Sequence, residues 1–298
     1  MSTFIDLVFN SLRFGSIVAL ATLGIVLIFR TSKTTNFAQG SIGTLGAYFA
    51  AWLTQTRGTG IGIIDSIWLA SLLAIVFGFI VGLLVDLVII RRVGENPLSK
   101  QMITLGLILL IIGLIPQPWV FGAQGYRSLT PSYFSGHLDM FGASVSYNVI
   151  FFILITLVLM AIIFLFIQRT RWGLATRVTA SDTQTARLMG VPTNTVTMMS
   201  WAFAAAMGTM AGLMIGQNAI RIDMLVTIQV TAFFAATFGG FQTFHGPIIA
   251  AVIIAFMRYT IYTYVSDTWD NTIVWVSILL FLYFKPYGLF GKAPAEKV

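Results

Sequence analysis

The sequence predicts an all-α protein: a polytopic transmembrane helical bundle of about nine spans, some of them discontinuous and glycine-rich, in one domain over residues 1–298. Three observations carry this. Hydrophobic residues make up 57% of the chain and charged residues only 9%, against about 25% charged in a soluble domain. Apolar stretches near the roughly 20 residues that a spanning helix needs recur along the chain. Basic residues gather in every second connection, as they do where loops stay in the cytoplasm.

Spans are expected at 4–29, 36–53, 66–90, 102–121, 147–167, 196–215, 224–241, 246–265 and 268–284. Asp6 and Arg13 make the front of the first amphipathic, so it is expected to lie partly on the membrane surface before turning in near Phe14. Its start lacks the basic region and small-residue cleavage site of a leader. The second carries Gly40, Gly43 and Gly46 at three-residue steps. Each glycine costs about 1 kcal/mol against alanine in a helix, so broken backbone beside a cavity or inside protein is expected there. Asp86 closes the third span one turn short of Arg91 and Arg92, where pairing at the interface is expected. The fourth leads into a long connection, 116–146, with Trp119, Tyr126, Pro131 and Tyr133, a composition suited to a structured lid or docking surface. The fifth is nearly all Phe, Ile, Leu and Val and is expected to face lipid.

The next connection, 169–195, is the longest polar interruption of the second half and sets Arg169, Arg171, Arg177 and Arg187 against Asp182. A short helix is expected in it, capped by Ser181 or Asp182 and ended by Gly190-Val191-Pro192. Ala186, Leu188 and Met189 would give it a small apolar contact. The sixth span places Ser200, Ala204, Gly208, Gly212 and Gly216 at four-residue steps, a flat stripe for close helix packing. Gly239, Gly240 and Gly246 loosen the end of the seventh, and Pro247 suits the first turn of the eighth. Phe37-Ala38-Gln39-Gly40 and Phe244-His245-Gly246-Pro247 share a loose pattern, hinting at paired discontinuous helices. Arg258 sits near the outer rim, where it would snorkel, and Tyr259, Tyr262, Tyr264 and Trp269 would join an outer aromatic belt.

Orientation follows from the cations. Arg30, Lys33, Arg91, Arg92, Lys100, the four arginines of 169–195, Lys285, Lys292 and Lys297 make twelve on one side, against Arg57, Arg127 and Arg221, three on the other. The twelve are expected in the cytoplasm, with 116–146 and the N-terminus outside and the tail, 285–298, inside. The net charge of +7 is thus a topology signal facing membrane lipid, and no nucleic-acid partner is expected.

Several chemistries find no residues to carry them. Cysteine is absent, and two histidines without a His, Cys or Glu cluster offer no metal site. There is no phosphate-binding Gly-x-x-x-x-Gly-Lys-Ser/Thr loop and no Gly-x-Ser-x-Gly elbow, so neither catalysis nor a cofactor is expected. Buried acids are too sparse for a proton or sodium pump, which favours a small neutral solute. Asn36, Gln39, Gly40 and Ser41 at the head of the second span, with Gln229 and Thr231 in the seventh, could receive a carboxylate at helix N-termini. Equally, they could be caps or interhelical hydrogen bonds.

Three stretches then resemble one family. NFAQGSIGTLGAYFAAWL, from Asn36, is similar to a signature of branched-chain amino-acid ABC transporter permeases of the LivH type. The run WGLATRVTASDTQTARLMGVPTNT, from Trp172, with the helix after it resembles their coupling loop, and AATFGGFQTFHGPIIAAVI, from Ala235, a third signature. Two positions depart: Ser41 stands where an acid is usual, and Phe241-Gln242 where a small residue is. The resemblance implies the permease of an ATP-driven importer, with a second related permease subunit, two cytoplasmic ATP-binding subunits and an external solute-binding protein. It implies a substrate pathway that includes Asn36, Gln39, Gly40, Ser41, Gln229, Gly239 and Gly240. ATPase coupling would fall to Arg177, Asp182, Ala186, Arg187 and Gly190. A permease for urea or short amides, and a secondary transporter or channel without ATPases, are the alternatives.

Overall fold

The computed structural model describes residues 2–54, 64–94, 96–121, 129, 132–140, 143–217 and 220–291. Arg57, Tyr126, Arg127, Pro131, Lys292 and Lys297 lie outside the described residues.

The helices are α1 (Ser2–Ser32), α2 (Gln39–Thr54), α3 (Ile67–Leu84), α4 (Pro97–Leu114), α5 (Tyr147–Arg169), α6 (Arg171–Ser181), α7 (Thr183–Leu188), α8 (Thr193–Ile215), α9 (Val226–Gly239), α10 (His245–Tyr264) and α11 (Asp270–Phe284). A hairpin of β1 (His137–Met140) and β2 (Ala143–Ser146) precedes α5. Among the described residues six helices are long and apolar enough to cross a membrane: α1, α3 with its extension to Val93, α4, α5, α8 and α10. The expected nine full spans are therefore not all present as single long helices. α2, α9 and α11 have 16, 14 and 15 residues, about 21–24 Å each against a hydrocarbon core of about 30 Å.

α1 is the axis of the bundle, buried from Ile17 to Ile28 and packed on α8, α9 and α10. It runs unbroken from Ser2, so the expected surface turn near Phe14 is absent. Phe14 instead packs edge-on against Tyr259 and lies under the Arg258 guanidinium, 4.4 Å from the ring centre. Gly15 lets α10 approach: a Cβ there would come within 3.2 Å of the Ala255 side chain.

The stripe on α8 meets α2. A Cβ on Gly212 would sit 2.6 Å from the Gly43 carbonyl oxygen, and one on Gly208 would sit 3.1 Å from that of Gln39. Gly78 and Gly82 bring α3 onto the neighbouring side of α8, against Thr209 and Trp201. The glycines of α2 thus serve close approach within a regular helix, and the broken backbone expected there lies just before it, at 33–38.

α3 ends in one π turn, Val85–Ile89, and one 3₁₀ turn, Ile90–Val93. Asp86 is buried in the π turn and pairs with Arg91 at 3.4 Å, the pairing expected from the sequence. α4 starts five residues before the expected 102. The Asn96 side chain accepts from the Leu98 N–H and Pro97 occupies the first turn, a capping pair that fixes the start. α5 exposes Leu154, Leu157, Val158 and Ile162, as a lipid-facing helix does. Arg258 does not snorkel: its Nε lies 2.8 Å from the buried Asp270 carboxylate at the head of α11.

All described cations of the expected inner loops fall at one end of the bundle, hereafter the basic end. Lys33 donates to the Ala180 carbonyl, Arg91 to that of Asn194, and Arg30 stacks over Phe244. Leu289 N–H bonds the Phe238 carbonyl there, folding 285–291 beneath α9. The β1–β2 hairpin caps the other end, beside α1 and α5.

Candidate functional site

α2 begins inside the bundle. The Gln39 Nε2 donates to the carbonyl of Ala204, midway along α8, at 2.6 Å. Gly24 of α1 leaves the space that the Gln39 carboxamide fills. α9 also begins at this level: after α8 ends, the chain returns through Ile220 to Leu225, whose carbonyl oxygen lies 3.0 Å from where a Gly40 Cβ would be. From there α2 climbs toward Trp52 and Phe121 at the hairpin end, whereas α9 descends to the basic end, where Phe241 meets Phe29. The two N-termini therefore meet in the middle. The other opening of the loose repeat, 244–247, is not at this level: α10 starts at the basic end beside Arg30.

A helix that starts in the interior leaves N–H groups without water to satisfy them. Two carboxamides, Asn36 and Gln229, supply the partners, and a third, Gln39, braces Asn36. Asn36 Oδ1 accepts from the Ala38 N–H at 2.9 Å, and Asn36 Nδ2 donates to Gln39 Oε1 at 3.4 Å. Gln229 reaches across from α9, its Oε1 accepting from the Gly40 N–H at 2.7 Å and its Nε2 donating to the Asn36 carbonyl at 3.1 Å. All three residues are buried. Thr231 bonds the Thr227 carbonyl within its own helix.

Beside this junction lies a cleft of about 490 Å³, within the range of about 300–1,000 Å³ usual for small-molecule sites. Its lining is overwhelmingly apolar, with Phe37, Phe233 and Phe234 prominent, and Gly40, Ser41 and Gln229 bring the junction to it. Ile108 of α4 and Leu279 and Leu282 of α11 also line it. Of the pathway residues expected from sequence, Gly40, Ser41 and Gln229 line the cleft, while Asn36 bonds Gln229 and Gln39 without lining it. Gly239 and Gly240 are not brought to it. Gly239 packs on the backbone of Gly246 and Pro247, and Gly240, at φ 92°, on Tyr287 and Gly291.

The 169–195 connection folds as a helical hairpin. The helix expected there is α7: Asp182 Oδ1 accepts from the N–H groups of Gln184 and Thr185, at 2.8 and 3.0 Å. Gly190, at φ 79°, ends it as Val191 N–H returns to the Ala186 carbonyl. A second helix, α6, not expected from the sequence, precedes α7: Thr170 caps it through the Gly173 N–H, and Gly173 has no room for a Cβ beside the Ile167 carbonyl. Ala186 is fully buried and so is not part of an outward contact, whereas Leu188 is 89% exposed and Met189 lies beside it. Arg177 and Arg187 are exposed on the same hairpin, Arg187 donating to Thr193 Oγ1.

Comparison with known proteins adds the following. The family model described as the permease component of the branched-chain amino acid transport system matches residues 7–283. The high-affinity branched-chain amino acid transport system permease protein LivH of Escherichia coli (strain K12) is 27% identical over 307 aligned positions, covering 99% of this chain and 98% of that protein. The corresponding BraD of Pseudomonas aeruginosa is 26% identical, covering 97% and 96%. A probable LivH of Methanocaldococcus jannaschii is 24% identical, covering 95% and 91%. No solved structure matches.

Proposed function

The chain belongs to the family of permease components of branched-chain amino acid transport systems, and on that premise we propose that it forms half of the membrane pathway of an ATP-driven importer for small aliphatic amino acids. The observation that carries the reading is the meeting of α2 and α9 in mid-bundle beside a cleft lined mainly by apolar and aromatic side chains. An aliphatic side chain suits Phe37, Phe233 and Phe234, and the charged groups of a zwitterion would fall to Ser41 in the first turn of α2. The cleft lies between α4 and α11, on the flank of the bundle, where a second permease subunit would complete it. The family match does not favour the urea or amide permease, or the carrier without ATPases.

Two cytoplasmic ATP-binding subunits would push on the α6–α7 hairpin, and an external solute-binding protein would deliver the substrate. In that arrangement the basic end is cytoplasmic and the N-terminus outside, in line with the cation bias. The exposed Leu188 and Met189, with Arg177 and Arg187 on the same hairpin, supply an apolar tip and basic flanks for such a contact. Asp182 and Gly190 hold the ends of α7 rigid.

Replacing Leu188 with Asp tests the coupling. In the reconstituted importer, solute-stimulated ATP hydrolysis should fall about tenfold or more, as when an interface anchor is removed, with membrane insertion intact. Hydrolysis at the unaltered rate would remove the hairpin from the mechanism. For orientation, Ser181→Cys in this cysteine-free chain should react with an impermeant thiol reagent only in inverted vesicles; labelling from outside intact cells would reverse the assignment.

A further inference from the structure

At the basic end, a groove of about 510 Å³ opens between the end of α1, the α3–α4 corner and α7. Four cationic side chains line it, Lys33, Arg91, Lys100 and Arg187, against two carboxylates, Asp86 and Asp182. Both carboxylates are engaged locally: Asp86 by Arg91, and Asp182 by the first N–H groups of α7. The lining therefore carries two more positive charges than negative ones.

Lys33 is held in place here. Its backbone has φ 53°, an uncommon conformation for a residue other than glycine. Its N–H bonds the Phe29 carbonyl and its Nζ the Ala180 carbonyl at 2.6 Å. Burial, and then the neighbouring Arg30 charge, lower the Lys33 pKa, and an anion in the groove would offset both causes. Lys100 stands in the first turn of α4, whose N-terminus, with Gly94 and Pro97, also borders the groove. That helix end favours negative charge as well.

We propose that this groove binds a phosphate-bearing anion, either the phosphodiester headgroup of an anionic lipid or free phosphate. Lysine ammoniums and an arginine fork match phosphate oxygens, and the groove lies at the end of the spans, where headgroups stand. Occupied, it would tie the end of α1 and the head of α4 to α7, next to the exposed hairpin tip.

The full chain, purified in mild detergent, is titrated calorimetrically with short-chain phosphatidylglycerol, short-chain phosphatidylcholine and inorganic phosphate. Saturable binding of phosphatidylglycerol in preference to phosphatidylcholine, weakened about fivefold by Lys100→Gln and further by Lys33→Gln with Lys100→Gln, assigns the site to an anionic lipid. Saturable binding of inorganic phosphate with the same losses assigns it to a soluble anion. Arg221→Gln, at the opposite end, should leave either affinity unchanged. Saturable binding of neither phosphatidylglycerol nor phosphate, equal binding by Lys100→Gln, or an equal loss with Arg221→Gln overturns the proposal. Binding is read on the isolated chain, so its failure is separate from any failure of transport.

Discussion

Gln229 closes the junction of the two interior helix ends with one carboxamide, donating to Asn36 and accepting from Gly40. Its replacement by Leu keeps much of the volume and leaves an N–H and a carbonyl buried without partners. That should cost about 1–3 kcal/mol, read as a lowered midpoint of thermal unfolding of the purified chain; an unchanged midpoint would mean that the bonds are dispensable. Polar residues in apolar runs can be singled out from sequence because such groups must find partners inside a membrane. Their choice of partner was not legible: Gln229 and Gly40 are 189 positions apart. The same limit hid the Arg258–Asp270 pair, which forms across the turn between α10 and α11. Asp86 was legible because its partner, Arg91, is only five residues away.

At the scale of elements, the four-residue stripe on α8 made its packing face visible, and the structure supplies the partner, α2. Gly212→Leu would drive a side chain into the Gly43 backbone, so a loss of about 3 kcal/mol or more is expected. Leu157→Phe, on the exposed face of α5, should stay within about 0.5 kcal/mol. Equal unfolding temperatures for the two variants would show that the stripe is not an interface. Long apolar helices were legible from length and composition alone. α4 starts ahead of the expected 102 because the Asn96-Pro97 cap, and not the onset of the apolar run, fixes its first turn. α6 leaves no apolar period in the sequence, because its buried face is Gly173, Thr176 and Thr179, small and polar. The depth at which α2 and α9 begin is set by close approach to α8 and by the return of the chain after it, neither of which leaves a local pattern.

For the whole molecule, α2 and α9 leave the bundle's middle toward opposite ends, and the cleft lies beside the point where they part. A second permease subunit against α4 and α11 would turn it into a pathway. The alternating cations told which loops share an end, and the described ones do gather there; the side of the membrane is the added proposal. The central claim, that solute passes this cleft, is tested most directly at Ser41. In the assembled importer, Ser41→Cys is treated with a small thiol reagent while uptake of a branched-chain amino acid is followed, with Leu157→Cys as the lipid-facing control. Modification should block uptake through Ser41→Cys only, and an excess of transported solute should slow the reaction. Full uptake after complete modification of Ser41→Cys would contradict the account.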